Sequence, residues 1–135
     1  MAVASILAVP AAAGGAACLA IGDARRGSYW TAQVEASRML EQPALCDAAG
    51  LSAAVAAAVE QGRPVITFEE PARFPLPDEL AAWVRQEFPS AERLWRAWCL
   101  ADEATQATWA GAAPQPIYLK PPHITPAKRP WLVPN

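Results

Sequence analysis

The sequence predicts an α/β domain in which helices cover a mixed sheet that begins with an antiparallel hairpin. The hairpin is indicated by segment 23–27, Asp-Ala-Arg-Arg-Gly, which separates an apolar run from a run of alternating apolar and polar residues. A later apolar run rich in β-branched residues predicts a buried strand, and apolar residues spaced four apart predict a helix. With 135 residues, of which 53% are hydrophobic, the chain fits one domain with a sizeable core.

The hairpin takes up residues 18–23 and 28–35. In its second strand Trp30, Ala32 and Val34 occupy alternate positions, which places them on one apolar face of the sheet. A short third strand is expected over residues 43–46.

The next element is a helix that Asp47 can cap at its N-terminus and that Gly62 ends. Leu51, Val55 and Val59 recur every four residues and form a narrow apolar stripe among alanines. Residues 64–68 follow as a short continuous apolar run, which predicts a buried central strand. Segment 69–77 contains three prolines and is expected to be an irregular loop.

Two further helices are predicted in the second half of the chain. The first spans 78–88, with Leu80, Trp83 and Val84 pointing inward. The second is capped by Ser90 and runs to about Thr108. Its apolar band comprises Leu94, Trp95, Trp98 and Ala101. Two tryptophans one turn apart are typical of a core or of an interface.

Composition excludes several classes of function. A net charge of −2 and a pI of about 5.4 argue against general binding to nucleic acid or to an anionic membrane. The three cysteines, Cys18, Cys46 and Cys99, form no CxxC pair and lie in apolar contexts, so we expect buried free thiols in a reducing cytoplasm. The apolar N-terminal run lacks a basic segment and is interrupted by Pro10 and by paired glycines, which disfavours a secretory signal or a membrane span.

Catalytic and metal-binding patterns are not evident either. The single histidine, His123, lies in a proline-rich region without neighbouring metal ligands or a nucleophile. The adjacent carboxylates at 69–70 and 102–103 are expected to be solvated surface charges, since neighbouring side chains generally point apart. Gly14 and Gly15 precede a strand, whereas a phosphate-binding loop follows one. We therefore expect no catalytic residue, no cofactor and no bound metal.

Two motifs about ninety residues apart carry a resemblance to a known family: segment 23–27 and segment 116–122, Pro-Ile-Tyr-Leu-Lys-Pro-Pro. Together they resemble the TsaB family, the dimerization subunits of the bacterial tRNA threonylcarbamoyladenosine machinery. These are non-catalytic relatives of the glycoprotease-type ATPases. The resemblance extends over roughly residues 2–125, where the agreement outside the two motifs is one of element order and composition.

The resemblance implies an RNase H-like (actin-like ATPase) lobe. Family members have two lobes, and the Asp-Thr-Ser-type segment that opens the first lobe does not occur in this sequence. The chain is therefore expected to correspond to a second lobe alone. On this interpretation residues 1–16 form an apolar N-terminal segment or linker, residues 17–120 form the lobe, and residues 121–135 form a proline-rich tail.

The implied function is that of a non-catalytic accessory protein supporting the subunit that transfers threonylcarbamoyl to tRNA adenosine. Its partner would be this catalytic subunit or a separate first lobe, with tRNA involved only indirectly and no membrane. The candidate partner or RNA contacts are Arg25, Arg26, Trp95, Trp98 and Lys120. The plainer interpretations are a solvated hairpin tip, core tryptophans and charges that serve solubility.

An alternative from another class is a small protein-interaction domain, or an orphaned fragment, unrelated to tRNA modification. It would bind a protein through the N-terminal segment and the two tryptophans of the apolar band. Loss of the first lobe would expose the surface it covers, so we also expect self-association through residues 3–9.

Overall fold

A computed structural model describes residues 4–117 and 119 of the chain. The start of the N-terminal segment at residues 1–3 and the expected tail over 121–135, with His123, lie outside the described residues. So do Tyr118 of the second motif and the candidate contact Lys120.

Within this part of the chain the protein is an α/β fold built on a mixed six-stranded sheet. The strands are β1 (Cys18–Asp23), β2 (Tyr29–Glu35), β3 (Arg38–Met39), β4 (Ala44–Cys46), β5 (Val65–Thr67) and β6 (Val84–Gln86). Their order is β3-β2-β1-β5-β6, with β4 pairing β2 as well. The pairs among β1 to β4 are antiparallel, whereas β1–β5 and β5–β6 are parallel.

The predicted hairpin is confirmed, and its register places Cys18 opposite Val34 and Asp23 opposite Tyr29. Ala32 and Val34 are buried on the same side of the sheet, where the half-buried Trp30 packs against the same core. The predicted third strand is β4. Strand β5 is the predicted buried strand, since all three of its residues are buried and it pairs on both sides.

Strand β3 is a feature that the sequence analysis did not predict. It is joined to β2 by Ala36 and Ser37, whose φ angles of 52° and 59° lie in the left-handed region. A two-residue turn with both φ angles positive matches the right-handed twist of the two strands it connects. Asparagine and glycine are the usual residues in such a turn. The sequence signal for this turn is therefore absent.

One face of the sheet is covered by helix α1 (Ala48–Glu60), as predicted. The Asp47 carboxylate caps it by accepting a hydrogen bond from the Gly50 N–H at 2.8 Å. Leu51 and Val55 are fully buried against residues of the sheet such as Ile21, whereas Val59 is half-buried and Ala58 fills the last buried position.

The opposite face is covered first by the N-terminal segment, which forms short 3-10 turns at Ser5–Ala8 and Pro10–Gly15. Ile6, Leu7, Ala8 and Val9 are buried, and three of them share a core with Cys18 and Ala20 of β1. The segment is held by the Ser90 N–H, which donates to the Ala8 carbonyl at 3.1 Å, and by the Ala11 N–H, which donates to Glu87 at 2.8 Å. The expectation that this apolar segment is exposed is therefore wrong for residues 6–9, whereas Pro10 and residues 13–14 are exposed.

Helix α3 (Ala91–Leu100) packs on the outside of these turns and forms a further layer. The Ser90 side chain caps it by accepting from the Arg93 N–H at 3.2 Å. The predicted continuous helix to Thr108 is wrong, because the backbone of Ala101 is extended and Asp102 caps a separate helix, α4 (Glu103–Gly111).

The helix predicted over 78–88 is also wrong. A single turn, α2 (Asp78–Ala81), is followed by β6, which pairs in parallel with β5. Val84 is buried and Leu80 half-buried as expected, but Trp83, in the turn that precedes β6, is 53% exposed. Residues 4–117 and 119 contain no helix long and apolar enough to cross a bilayer.

Candidate interaction surfaces

The tip of the β1–β2 hairpin is a tight, left-handed turn that presents two arginines. Arg25, Arg26 and Gly27 have φ angles of 68°, 58° and 68°. The Ala24 N–H closes the turn by donating to the Ser28 carbonyl at 2.9 Å. Left-handed backbone is unfavourable for a residue with a Cβ, so the loop holds both arginines at some cost.

Arg25 is tied back to the end of β1. Its N–H donates to Asp23 Oδ1 at 2.6 Å, and its guanidinium lies 3.8 Å from Asp23 Oδ2. Arg26 is exposed and forms no ion pair with any other described residue. Of the two, Arg26 is the arginine whose charge remains available to a partner.

Glu69 anchors the base of the tip. Its Oε1 accepts a hydrogen bond from the Asp23 N–H at 2.9 Å, and its Oε2 lies 3.7 Å from the Arg73 guanidinium. The expectation that 69–70 is a pair of solvated charges therefore holds for the exposed Glu70 but not for Glu69. Asp102 likewise has a structural role, since it accepts from the Thr105 N–H at 2.7 Å.

The two predicted tryptophans of α3 occupy different environments. Trp95 is 63% exposed, whereas Trp98 is half-buried and stacks at a tilt on Trp109 of α4, with ring centroids 6.0 Å apart. The buried residue of α3 is Ala97, which the sequence analysis missed. A small side chain lets the helix approach the N-terminal turns, and alanine gives no apolar signal strong enough to mark that contact in advance.

A groove of about 450 Å³ runs beside α3, which we call the α3 groove. Its floor is formed by Leu7, Ala12 and the buried Ser37, and its rim by residues of α3. The α3 residues that line it are the buried Ala97 and, on the rim, Arg93, Trp95, Arg96, Cys99 and Leu100. The rim combines exposed apolar surface with two guanidinium groups, a mixture common in protein interfaces.

A second groove of about 440 Å³ is also bordered by the N-terminal segment. Trp30, Met39 and Phe68 line it from the sheet, and Ile6 and Ile117 line it from the two ends of the described chain. The Trp30 indole lies directly over Gly22, its partner on β1. Most of the described residues that line this groove are apolar, and none of them is titratable.

The cysteines are all free thiols, but they differ in burial. Burial, and secondarily the charge of Glu87, raises the pKa of the Cys18 thiol to about 11. Burial and the neighbouring Asp47 raise the pKa of the half-buried Cys46. Cys99, which lines the α3 groove, is exposed, so the expectation that all three are buried is wrong for this residue.

Hydrogen bonds from the side chain and the backbone of Thr105 lower the pKa of the Asp102 carboxyl. Asp102 is exposed and is the N-cap residue of α4, so the lowered pKa is a consequence of helix capping. Among residues 4–117 and 119 no group of three histidine, cysteine or acidic side chains is arranged to hold a metal ion.

The structure does not bring the predicted contacts together in one site. Arg25 and Arg26 are at the hairpin tip, and Trp95 is on the rim of the α3 groove. Trp98 is largely engaged with Trp109. No family model, curated protein or solved structure matches the chain.

Proposed function

We propose that this chain is a TsaB-like accessory protein of tRNA threonylcarbamoyladenosine modification, with an RNase H-like lobe that supports the catalytic threonylcarbamoyltransferase subunit. The observation that carries the proposal is segment 23–27, which forms the hairpin tip that the family resemblance requires. An antiparallel hairpin, extended by a buried parallel strand and covered by helices, is the architecture expected of that lobe.

Two surface features support the proposed accessory role. The described residues offer two separate features suited to a protein partner: the exposed Arg26 at the tip and the exposed Trp95 on the α3 groove. Arginine and tryptophan are the residues that most often dominate binding energy at interfaces. The catalytic subunit, or a chain that carries the first lobe, is the proposed occupant of these surfaces.

The proposal is tested by affinity capture of the tagged full chain from the cells that encode it, with mass spectrometry of the bound proteins. We expect the threonylcarbamoyltransferase subunit or a first-lobe chain in a stoichiometric amount. Trp95→Ser should reduce the recovery at least tenfold. Trp83→Ser is the matched control, because it removes an indole of similar exposure, 53% against 63%, from outside the α3 groove.

A folded chain that captures neither protein would overturn the proposal. The alternative, a protein-interaction domain unrelated to tRNA modification, is favoured by the same exposed Trp95 and Leu100. It predicts a different stoichiometric partner that is also lost in Trp95→Ser.

A further inference from the structure

Strand β6 is one edge of the sheet. It pairs with β5, and no other strand in the described part of the chain pairs with it. The Glu87 N–H donates to the Thr67 carbonyl at 2.9 Å, which fixes the direction of the backbone groups along β6. In a strand these directions alternate, so the N–H and C=O groups of Val84 and Gln86 point away from the sheet.

This edge is exposed and flanked by aromatic side chains. Arg85 and Gln86 are exposed, Trp83 is 53% exposed, and Phe88, just beyond the strand, is 61% exposed. Outward backbone groups beside exposed aromatic residues form a template for pairing with another strand. Pro89 limits the length of any such pairing, because it has no N–H.

The sequence around Gln86 indicates which strand could pair with the β6 edge. From residue 84 to 88 it reads apolar, positive, polar, negative, apolar: Val-Arg-Gln-Glu-Phe. If a second copy of these five residues runs antiparallel to the first, each positive side chain lies opposite a negative one. Each apolar side chain then lies opposite another apolar one. This edge is therefore complementary to a second copy of itself in antiparallel orientation.

We propose that the chain forms a symmetric dimer in which the β6 edges of two copies pair antiparallel about a two-fold axis at Gln86. Gln86 of each copy exchanges both backbone hydrogen bonds with Gln86 of the other. Val84 lies opposite Phe88 of the second copy, and Arg85 lies opposite Glu87. The inference does not depend on the proposed function.

The charges at this edge are available for such pairing. Arg85 forms no ion pair with any other described residue. Glu87 uses Oε2 to accept from the Ala11 N–H at 2.8 Å, and within the described residues its Oε1 accepts no hydrogen bond. Opposite charges directly across an antiparallel pair are stabilising, and two-fold symmetry supplies this pair twice.

The register is tested by cross-linking through one introduced cysteine in the full chain, with Cys46 and Cys99 replaced by serine and the buried Cys18 kept. Directly opposite residues in a hydrogen-bonded pair have Cα atoms about 5.5 Å apart, which a disulfide can span. We expect Gln86→Cys to form a covalent dimer under mild oxidation. Arg85→Cys, used at a concentration at which sedimentation shows this variant to be dimeric, is the matched control, because its two copies are offset along the strands, beyond the roughly 7 Å limit for a disulfide.

Sedimentation equilibrium of the unlabelled chain tests the association itself. We expect a reversible dimer, weakened at least tenfold by Arg85→Glu, which places two negative charges opposite each other. Arg26→Glu makes the same charge change at the hairpin tip and should leave the dissociation constant unchanged. Gln86→Pro should also abolish the dimer, because it removes an outward N–H. The backbone bonds from β6 to β5 remain, and the side-chain bond from Gln86 to the Phe68 carbonyl is lost.

A chain that stays monomeric at all concentrations would overturn the proposal, as would equal cross-linking at positions 85 and 86. A dimer that tolerates both Arg85→Glu and Gln86→Pro would have a different interface and would overturn it too.

Discussion

Gly22→Ala tests the packing of the hairpin most sharply. Gly22 lies opposite Trp30 in the β1–β2 ladder, and the Trp30 indole covers it. A Cβ added at Gly22 would lie 2.5 Å from Trp30 Cζ2 and overlap Nε1 and Cε2 as well. Real Cβ atoms do not approach other atoms so closely, so the indole must move. An aromatic ring placed over a strand glycine is a known way to compensate for the missing side chain.

The expected loss of stability is estimated from the apolar surface that the displaced indole exposes. Trp30 is half-buried, and a fully packed aromatic side chain buries about 150–250 Å². If displacement exposes roughly 100 Å² of apolar surface, the cost is about 2.5 kcal/mol at about 25 cal/mol per Å². Alanine recovers roughly 0.5–1 kcal/mol relative to glycine within a strand. We therefore expect Gly22→Ala to lower the free energy of unfolding by about 1.5–2 kcal/mol, the difference between these two contributions.

The assay is urea unfolding followed by far-UV circular dichroism, with near-UV circular dichroism to report the indole. Gly111→Ala is the matched control, because its Cβ meets nothing within 4 Å, so the substitution should keep or slightly raise the midpoint. In a double-mutant cycle, Trp30→Ala should cost less in the Gly22→Ala background than in the wild type. An unchanged midpoint for Gly22→Ala, or additive costs in the cycle, would refute the reasoning.

Three further predictions concern stability. The folded Cys18 thiol, with its pKa raised from 9.0 to about 11, keeps its proton after the unfolded chain has lost it. The free energy of unfolding should therefore fall by at most about 3 kcal/mol as the pH rises from about 9 to 11. In urea titrations at a series of pH values, Cys18→Ala should flatten this dependence, whereas Cys99→Ala should not. Ala36→Asn should raise the thermal midpoint by stabilising the protein by about 0.5–1 kcal/mol, because asparagine tolerates the left-handed turn better, whereas Ala36→Val should lower it. Asp47→Ala should cost about 1 kcal/mol in urea unfolding by removing the cap of α1, and Asp47→Asn, which still accepts from the Gly50 N–H, should cost much less; equal losses would contradict the capping role.

The elements that the sequence predicted correctly are those with local signals. The hairpin has turn residues between two runs of strand-forming residues, and α1 has a cap, a four-residue repeat and a terminal glycine whose φ of 67° ends the helix. The break between α3 and α4 also has a local signal, the capping residue Asp102, which the sequence analysis assigned to a solvated pair.

Other features depend on contacts that no local pattern contains. Leu80, Trp83 and Val84 have helical spacing, yet pairing with β5 draws residues 84–86 into a strand. Three residues are too few to show the alternation that distinguishes a strand. The N-terminal segment has the composition of an exposed interface, but α3 lies over it and buries residues 6–9.

The same limit applies to the candidate contacts. The spacing of Trp95 and Trp98 predicts that both lie on related faces of a helix. It does not predict that Trp98 packs against Trp109 while Trp95 stays exposed. Arg25 and Arg26 are adjacent and indistinguishable in sequence. The structure separates them, because Asp23 binds Arg25 and leaves Arg26 unpaired among the described residues.

The central claim, an accessory role in tRNA modification, is tested most directly by the threonylcarbamoyladenosine content of bulk tRNA. The nucleoside is measured by mass spectrometry in cells depleted of this chain and in the same cells supplied with it again. We predict that the modified nucleoside falls on depletion and returns with the wild-type chain. An unchanged level of threonylcarbamoyladenosine in fully depleted cells would contradict the proposed function.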